Sequence, residues 1–107
     1  MNMYVVANRV PVAAGWEQAF EERFRQRAGR IEQNPGFIRM EVLRPADEES
    51  PWIVLTHWES EDAFRQWLSS DDFKEAHNNP LPHEAYTEEG RLERHEVVIA
   101  SDGAATK

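Results

Sequence analysis

The order of elements in this 107-residue sequence predicts an α+β fold of the ferredoxin-like, split βαβ type, β-α-β-β-α-β. Runs of β-forming residues alternate with two stretches in which apolar residues recur at helical spacing, and Pro, Gly and Asn mark the turns. The length is that of a single domain, expected over residues 1–100. Both helices are expected on one face of a four-stranded sheet, so a second copy of the chain is expected to cover the other face in a homodimer.

The first strand is predicted over residues 3–12, which are β-branched and apolar and include Pro11 near their end. The alternation of side chains places Asn8 on the same face as three apolar residues, Tyr4, Val6 and Val10. A turn at residues 13–15 leads into the first helix.

Helical spacing begins at Trp16 and continues to about Gln33. Glutamates early in this stretch and arginines late in it suit the helix dipole, and Asn34-Pro35-Gly36 ends the helix. The predicted apolar stripe along this helix consists of Trp16, Phe20, Phe24, Ala28 and Ile31.

The middle of the chain predicts a β-hairpin. Residues 37–44 alternate weakly as a strand, residues 45–51 form an acidic turn, and residues 52–58 are almost all β formers. A short helix follows, with Ser60 as its N-cap.

The second helical stretch is predicted to break and restart. Ser69-Ser70-Asp71-Asp72 has the composition of a fresh cap, and Phe73 and His77 lie four residues apart on the turn that follows. Residues 78–82 (Asn-Asn-Pro-Leu-Pro) end that helix and begin a loop to Gly90. A last strand is predicted over residues 92–100, followed by a flexible tail over residues 101–107.

Composition excludes several classes of function. The net charge is −8, which disfavours nucleic acid as a partner, although four arginines between residues 23 and 30 leave room for a local anion site. No apolar run is long enough to span a membrane. The absence of cysteine excludes a disulfide scaffold and a thiolate nucleophile, and no secretory signal is visible, so a cytoplasmic location is expected.

Three residues are candidates for chemistry, and each has a structural alternative. Asn8 lies on an apolar face, where its amide is either satisfied by neighbouring backbone or directed into a pocket. Trp67 has the spacing of a core residue. His77, in the last turn of a short helix, either caps that helix or offers one ring nitrogen to a metal. The other histidines, His57, His83 and His95, show no metal-ligand spacing.

Taken together, these residues stand in segments that resemble the Isd-type haem-degrading monooxygenases, a branch of the antibiotic-biosynthesis-monooxygenase, dimeric α+β barrel superfamily. The resemblance covers about residues 3–100. The Pro35-Gly36-Phe37 and Trp58-Glu59-Ser60 motifs are shared across the superfamily and indicate only the fold. The segments that mark the haem-degrading branch are Ala7-Asn8-Arg9-Val10, Phe64-Arg65-Gln66-Trp67-Leu68 and Ser70-Asp71-Asp72-Phe73-Lys74-Glu75-Ala76-His77.

The resemblance implies that haem is both cofactor and substrate, opened by O₂ and electrons from an external reductant to a linear tetrapyrrole and free iron. It implies that His77 is the axial ligand to the haem iron, that Asn8 is a hydrogen-bond donor on the opposite side, and that Trp67 presses on the macrocycle and ruffles it. The electron donor is either a partner reductase or a small molecule such as ascorbate.

The resemblance also suggests haem contacts for the first helix. Arg23 and Arg27 flank Phe24, and these arginines either meet the haem propionates or pair with acidic neighbours on a solvated face. Phe24 is expected in the pocket wall, in the core, or in both. The loop with Pro80, Pro82 and His83 departs from the family pattern, and it leaves the site of ring cleavage open.

Two alternatives to haem degradation remain open at this point. The first is a cofactor-free monooxygenase acting on an aromatic or quinone-like compound in the same cleft. The second is a non-catalytic protein that binds haem and leaves it intact. Since one fold of this kind hosts many activities, the site has to distinguish them.

Overall fold

The structure is a computed structural model that describes residues 3–27, 30–77 and 80–103, without the side chains of Arg27 and Ala76. Ala28 of the predicted stripe, Asn78 and Asn79 of the predicted helix stop, and residues 104–107 of the predicted tail lie outside the described residues. In the described part the elements are β1 (Tyr4–Val10), α1 (Glu17–Arg27), β2 (Phe37–Leu43), β3 (Trp52–Trp58), α2 (Glu61–Leu68), α3 (Asp71–Ala76) and β4 (Arg91–Glu96), with 3₁₀ turns at Ile31–Gln33 and His83–Ala85.

The four strands form one antiparallel sheet in the order β2-β3-β1-β4. This confirms the ferredoxin-like α+β prediction, including the β2–β3 hairpin. Strand β1 is central, and Asn8 on it pairs with Val54 of β3 on one side and Leu92 of β4 on the other. The sheet therefore carries Asn8 in its middle.

The helices pack on one face of this sheet, as predicted. Phe20 of α1 and Phe64 of α2 are both 2% exposed and contact the inner-face residues of the strands. Trp58 is fully buried beneath α2, and its indole N–H donates to the hydroxyl of Thr56 over 2.9 Å. The inner-face positions of β1 alternate as expected, since Tyr4, Val6 and Val10 are buried.

Two of the predicted strands are shorter than expected. The first strand ends at Val10 rather than residue 12, because Pro11 has no N–H to offer a ladder, and Val12 forms only an isolated bridge to Tyr86. The last strand covers Arg91–Glu96 rather than residues 92–100. Glu96 pairs with Tyr4, where β1 begins, so the chain beyond it runs past the end of its partner strand.

The prediction of one continuous first helix to Gln33 is wrong. The described helix is Glu17–Arg27, and Ile31–Gln33 form a 3₁₀ turn. The Asn34 side chain donates to the carbonyl oxygens of Arg30 and Ile31 over 3.2 and 3.3 Å. These bonds use the short polar side chain to close a tight turn where the sequence pattern alone suggested more helix.

Gly36 explains the Pro-Gly-Phe motif in physical terms. Its φ is +80°, in the left-handed region, and a Cβ there would lie 2.4 Å from the Cβ of Ala63 on α2. The backbone just before β2 thus approaches α2 closely enough to exclude any side chain at this position.

The helices restart as predicted. Ser60 caps α2 by accepting from the N–H of Ala63, and Ser70 caps α3 by accepting from the N–H of Phe73. His77 is the C-terminal cap residue of α3. None of the helices in the described ranges is long and apolar enough to cross a membrane.

Candidate functional site

A cleft between the sheet and the helices brings together the three residues that the sequence singled out. It holds about 940 Å³ of space, part of it open to solvent, and Asn8, Trp67 and His77 all line it. Apolar side chains form most of the wall and few polar groups interrupt them, which is the composition of a small-molecule site. The remaining lining residues are Val6, Phe24, Arg30, Ile31, Met40, Val54, Thr56, Phe64, Leu68, Asp72, Phe73 and Leu92.

The imidazole of His77 is held in a defined tautomer. Its Nδ1 lies 2.9 Å from the carbonyl oxygen of Phe73, one helical turn earlier. A carbonyl oxygen only accepts hydrogen bonds, so Nδ1 carries the proton. In the neutral ring Nε2 then bears the lone pair, which is the form in which histidine ligates a metal.

An aromatic series connects His77 to the core. The rings of His77 and Phe73 stack with centroids 4.2 Å apart, Phe73 meets Trp67 edge-on at 4.8 Å, and Trp67 lies 5.7 Å from Trp58. Each ring restricts the next, so the exposed end of α3 is tied to a fully buried tryptophan.

Trp67 has an unusual polar atom. Its indole nitrogen is buried and has no hydrogen-bond partner in the described part of the chain. Buried indole N–H groups ordinarily find an acceptor. The rings of Trp67 line the cleft while this donor stays unsatisfied among the described residues.

Asn8 is half-buried and lines the cleft from the centre of the sheet. Among the described residues, no group forms a hydrogen bond with its side-chain amide. This excludes, for the described part of the protein, the alternative in which neighbouring backbone satisfies the amide. The Asn8 side chain lines the space that a ligand would occupy.

A second depression adjoins the cleft and shares Asn8, Phe24 and His77 with it. Arg23 and His83 line this depression. Phe24 meets Phe20 edge-on at 5.0 Å and also lines the cleft, so it belongs to both core and wall. The side chain of Arg27, the other candidate for an anionic group, lies outside the described residues.

The remaining histidines lie away from the cleft. His57 and His95 both flank Val5 on the outer face of the sheet, and His57 lies 3.2 Å from a carboxylate oxygen of Glu41. On the same face, a hydrogen bond from Arg9 holds the pKa of Glu93 below its ordinary value, and the nearby charges of Arg9, Arg91 and His95 act in the same direction while burial opposes them.

Two residues that shape the site were not identified as site residues from the sequence. Phe73 supplies both the stacking partner and the acceptor for His77, and its spacing of four residues from His77 was the available signal. Gly90 lies beside Asn8, and a Cβ there would be 3.5 Å from the amide oxygen of Asn8 and 3.1 Å from the carbonyl oxygen of Arg9. No sequence pattern identifies that approach, because it arises from the β1–β4 pairing.

The fold and the cleft together define a class of oxygenase. The chain belongs to the antibiotic biosynthesis monooxygenase family, whose model matches residues 3–79. Within this family, the relatives confirm the predicted resemblance to the haem-degrading branch.

Three comparisons support the assignment to the haem-degrading branch. A staphylobilin-producing haem oxygenase of Staphylococcus saprophyticus is 43% identical over 77 residues, 70% of this chain and 73% of the relative. A mycobilin-producing haem oxygenase of Mycobacterium tuberculosis is 43% identical over 65 residues, 61% of this chain and 62% of the relative, so this match leaves more than a third of that relative uncovered. The structure of the haem degrader MhuD from M. tuberculosis, with two haems in its active site, superposes with a TM-score of 0.77 at 34% identity, covering 92% of this chain and 99% of that one.

Proposed function

We propose that this protein binds haem in the cleft and degrades it as a monooxygenase, opening the macrocycle with O₂ and external electrons. The observation that carries the proposal is that one cleft contains Asn8, Trp67 and a His77 whose Nδ1 proton is bonded to a backbone carbonyl. Haem bound there supplies the iron at which O₂ is reduced and the ring that is opened to a linear tetrapyrrole.

The cleft suits haem in its chemistry. Its mostly apolar walls match a hydrophobic macrocycle, and the few polar groups among them give the composition of a small-molecule or cofactor site. His77 is exposed at the end of α3, and because its Nδ1 donates to the carbonyl oxygen of Phe73, the lone pair of the neutral ring lies on Nε2. We infer that Nε2 of His77 would bind the haem iron.

Asn8 and Trp67 have separate roles in this proposal. The Asn8 amide, without a partner in the described residues, donates a hydrogen bond into the space where O₂ reacts and stabilises negative charge that develops there. Trp67, which packs against Phe73 and Trp58, would contact the macrocycle and restrict which part of it is open to attack.

The haem carboxylates require positive charge at the edge of the cleft. Arg23 lines the depression that adjoins the cleft beside Phe24, and Arg27 follows on the next turn of α1. We assign the propionates to these two arginines, since guanidinium groups bind carboxylates in bidentate geometry. The reaction also requires an electron donor, for which we propose a small reductant such as ascorbate or a partner reductase.

We further propose that the protein is a homodimer. The outer face of the sheet has an apolar centre of partly exposed side chains on the two middle strands, including Val5, Ala7 and Leu55. Charged pairs border this centre, among them Arg9–Glu93 at 2.8 Å. An apolar centre with a polar rim is the usual anatomy of an interface, and a second copy of the same face would cover it.

The proposed activity is tested by adding haemin to the purified protein and then ascorbate in air, with catalase present to remove hydrogen peroxide. We expect a Soret band that decays while a ferrozine assay detects released iron and mass spectrometry detects a linear tetrapyrrole. A Soret band that forms and persists with both ascorbate and an added flavin reductase would favour a haem carrier. The absence of any Soret change would contradict haem as the substrate and favour the cofactor-free alternative.

A further inference from the structure

An arginine contacts one side of α3, the helix that ends at His77. Arg30, which precedes the 3₁₀ turn after α1, places its Nη1 2.9 Å from a carboxylate oxygen of Glu75 and 4.0 Å from one of Asp72. Glu75 and Asp72 are three residues apart on α3 and therefore lie on the same face of that helix. One guanidinium group thus contacts two successive carboxylates of α3.

Asn34 reinforces this connection. Its amide nitrogen lies 3.4 Å from a carboxylate oxygen of Asp72 and also donates to the carbonyl oxygen of Arg30. The same side chain therefore closes the 3₁₀ turn and reaches across to α3. The turn, Arg30 and α3 form one polar network, in which each group restricts the others.

Helix α3 depends on such contacts because it has only six residues. Helices of this length are unstable by themselves in water and are held by capping and tertiary packing. The Ser70 cap fixes the beginning of α3, and the Phe73 ring fixes its inner side against Trp67. The Arg30 network acts near the C-terminal end, where Glu75 lies two residues before His77.

We propose that Arg30 is a positioning residue, whose ion pairs with Glu75 and Asp72 fix α3 and so hold the imidazole of His77 in place to bind the haem iron. The link to haem rests on the proposed function, whereas the restraint that Arg30 places on α3 is independent of that function. Ion pairs between exposed groups are individually weak, so the expected effect on the position of His77 is about two- to fivefold in a rate or an equilibrium.

Arg30 has a competing role that the test must separate. It lines the cleft as well, and a guanidinium group there would attract a haem carboxylate directly. The two roles respond oppositely to removal of a carboxylate from α3. If Arg30 positions α3, loss of the Glu75 charge loosens His77. If Arg30 binds the haem carboxylate, loss of that charge releases Arg30 and strengthens haem binding.

The first arm of the experiment uses the haem-free protein. Hydrogen exchange of the segment 71–77, measured by mass spectrometry, is compared in the wild type, Arg30→Gln and Glu75→Gln. The matched control is Arg65→Gln, which breaks an exposed Arg65–Glu61 pair of 2.6 Å on α2, away from the network. We expect exchange of this segment to be about two- to fivefold faster in the first two variants and unchanged in the control.

The second arm measures how fast haemin leaves each variant for an excess of an apoprotein that traps it. We expect release about two- to fivefold faster in both Arg30→Gln and Glu75→Gln, partial rescue in Arg30→Lys, and a melting temperature of the bulk fold that changes little in any variant. The inference is overturned if both variants exchange segment 71–77 and release haemin at the wild-type rates. It is also overturned if Glu75→Gln releases haemin more slowly than the wild type. If the wild type fails to bind haemin while segment 71–77 still exchanges faster in the variants, the proposed function fails and the restraint on α3 stands.

Discussion

The imidazole ring of His77 stacks on the phenyl ring of Phe73, with the centroids 4.2 Å apart and the ring planes inclined by 34°. The carbonyl oxygen of the same phenylalanine accepts the Nδ1 proton of His77 over 2.9 Å. One residue thus restricts both the orientation and the tautomer of the histidine. Because Phe73 in turn packs against Trp67, the position of the proposed iron ligand depends on a cleft wall that also shapes the substrate space.

Replacement of Asn8 tests whether its amide acts in the reaction rather than in the fold. We expect Asn8→Ala to retain haem binding and to lower the rate of haem degradation by about 10²-fold, as when a single hydrogen-bond donor is removed from a developing negative charge. The rate is measured as decay of the Soret band under saturating ascorbate. Asn8→Asp keeps the shape, removes the donor and adds a negative charge at neutral pH, so it should be at least as slow, and a fast Asn8→Asp variant would contradict the donor role.

Replacement of Trp67 tests its role in shaping the substrate. The indole N–H has no partner in the described residues, so Trp67→Phe removes ring area without breaking a protein hydrogen bond. We expect slower cleavage or a changed distribution of tetrapyrrole isomers, resolved by chromatography with mass detection. Trp52→Phe is the matched control, because Trp52 is a buried tryptophan that does not line the cleft. If Trp67→Phe gives the same rate and the same products as the wild type, the proposed role of Trp67 is contradicted.

Gly36 and Gly15 form a pair that separates backbone strain from steric contact. Both have positive φ, +80° and +91°, but a Cβ would meet Ala63 at 2.4 Å only at Gly36 and would have nothing within 4 Å at Gly15. We expect Gly15→Ala to lower the free energy of unfolding by about 1–2 kcal/mol and Gly36→Ala to lower it by about 1–3 kcal/mol more. Urea denaturation measures both, and equal losses would indicate that β2 moves away from α2 at little cost.

The Arg9–Glu93 pair makes a predictable contribution to acid stability. The pKa of Glu93 is lowered in the folded protein, mainly by the hydrogen bond from Arg9, from an ordinary value of 4.5. The contribution of ionised Glu93 to the free energy of unfolding is therefore fully present above pH 4.5. It is lost as the pH falls through the folded-state pKa of Glu93. We expect the difference in melting temperature between the wild type and Glu93→Gln to shrink as the pH is lowered from 7 to about 3. A difference that stays constant over this range would contradict the assignment.

Local patterns in the sequence predicted most of the fold, and the resemblance to the haem-degrading branch singled out the three residues that one cleft brings together. The Ser60 and Ser70 caps, the β2–β3 hairpin and the break before α3 depend on neighbouring residues, so spacing and composition identify them. The ends of the elements were less predictable. The last strand stops at Glu96, which pairs with Tyr4 at the beginning of β1, and Val97 keeps one backbone hydrogen bond to Met3 beyond it. A strand pattern that continues to residue 100 contains no sign of this end.

The parts of the site that the sequence did not predict arise from contacts between distant segments. Gly90 approaches Asn8 only because β4 lies beside β1, and Arg30 reaches Glu75 across 45 residues of chain. Four arginines cluster between residues 23 and 30, and the sequence singled out Arg23 and Arg27 but gave no separate role to Arg30. The structure distinguishes Arg23, which lines the depression beside the cleft, from Arg30, which pairs with α3.

The most direct test of the account is a haemin titration of the wild type and His77→Ala, followed through the Soret band. If Nε2 of His77 ligates the iron, the wild type gives a sharp, saturable Soret band of a histidine-ligated haem, and His77→Ala gives only the broad absorbance of unligated haemin. Addition of imidazole to His77→Ala should then restore the sharp band. The same sharp band in His77→Ala without imidazole would show that another group holds the iron and would contradict the central claim.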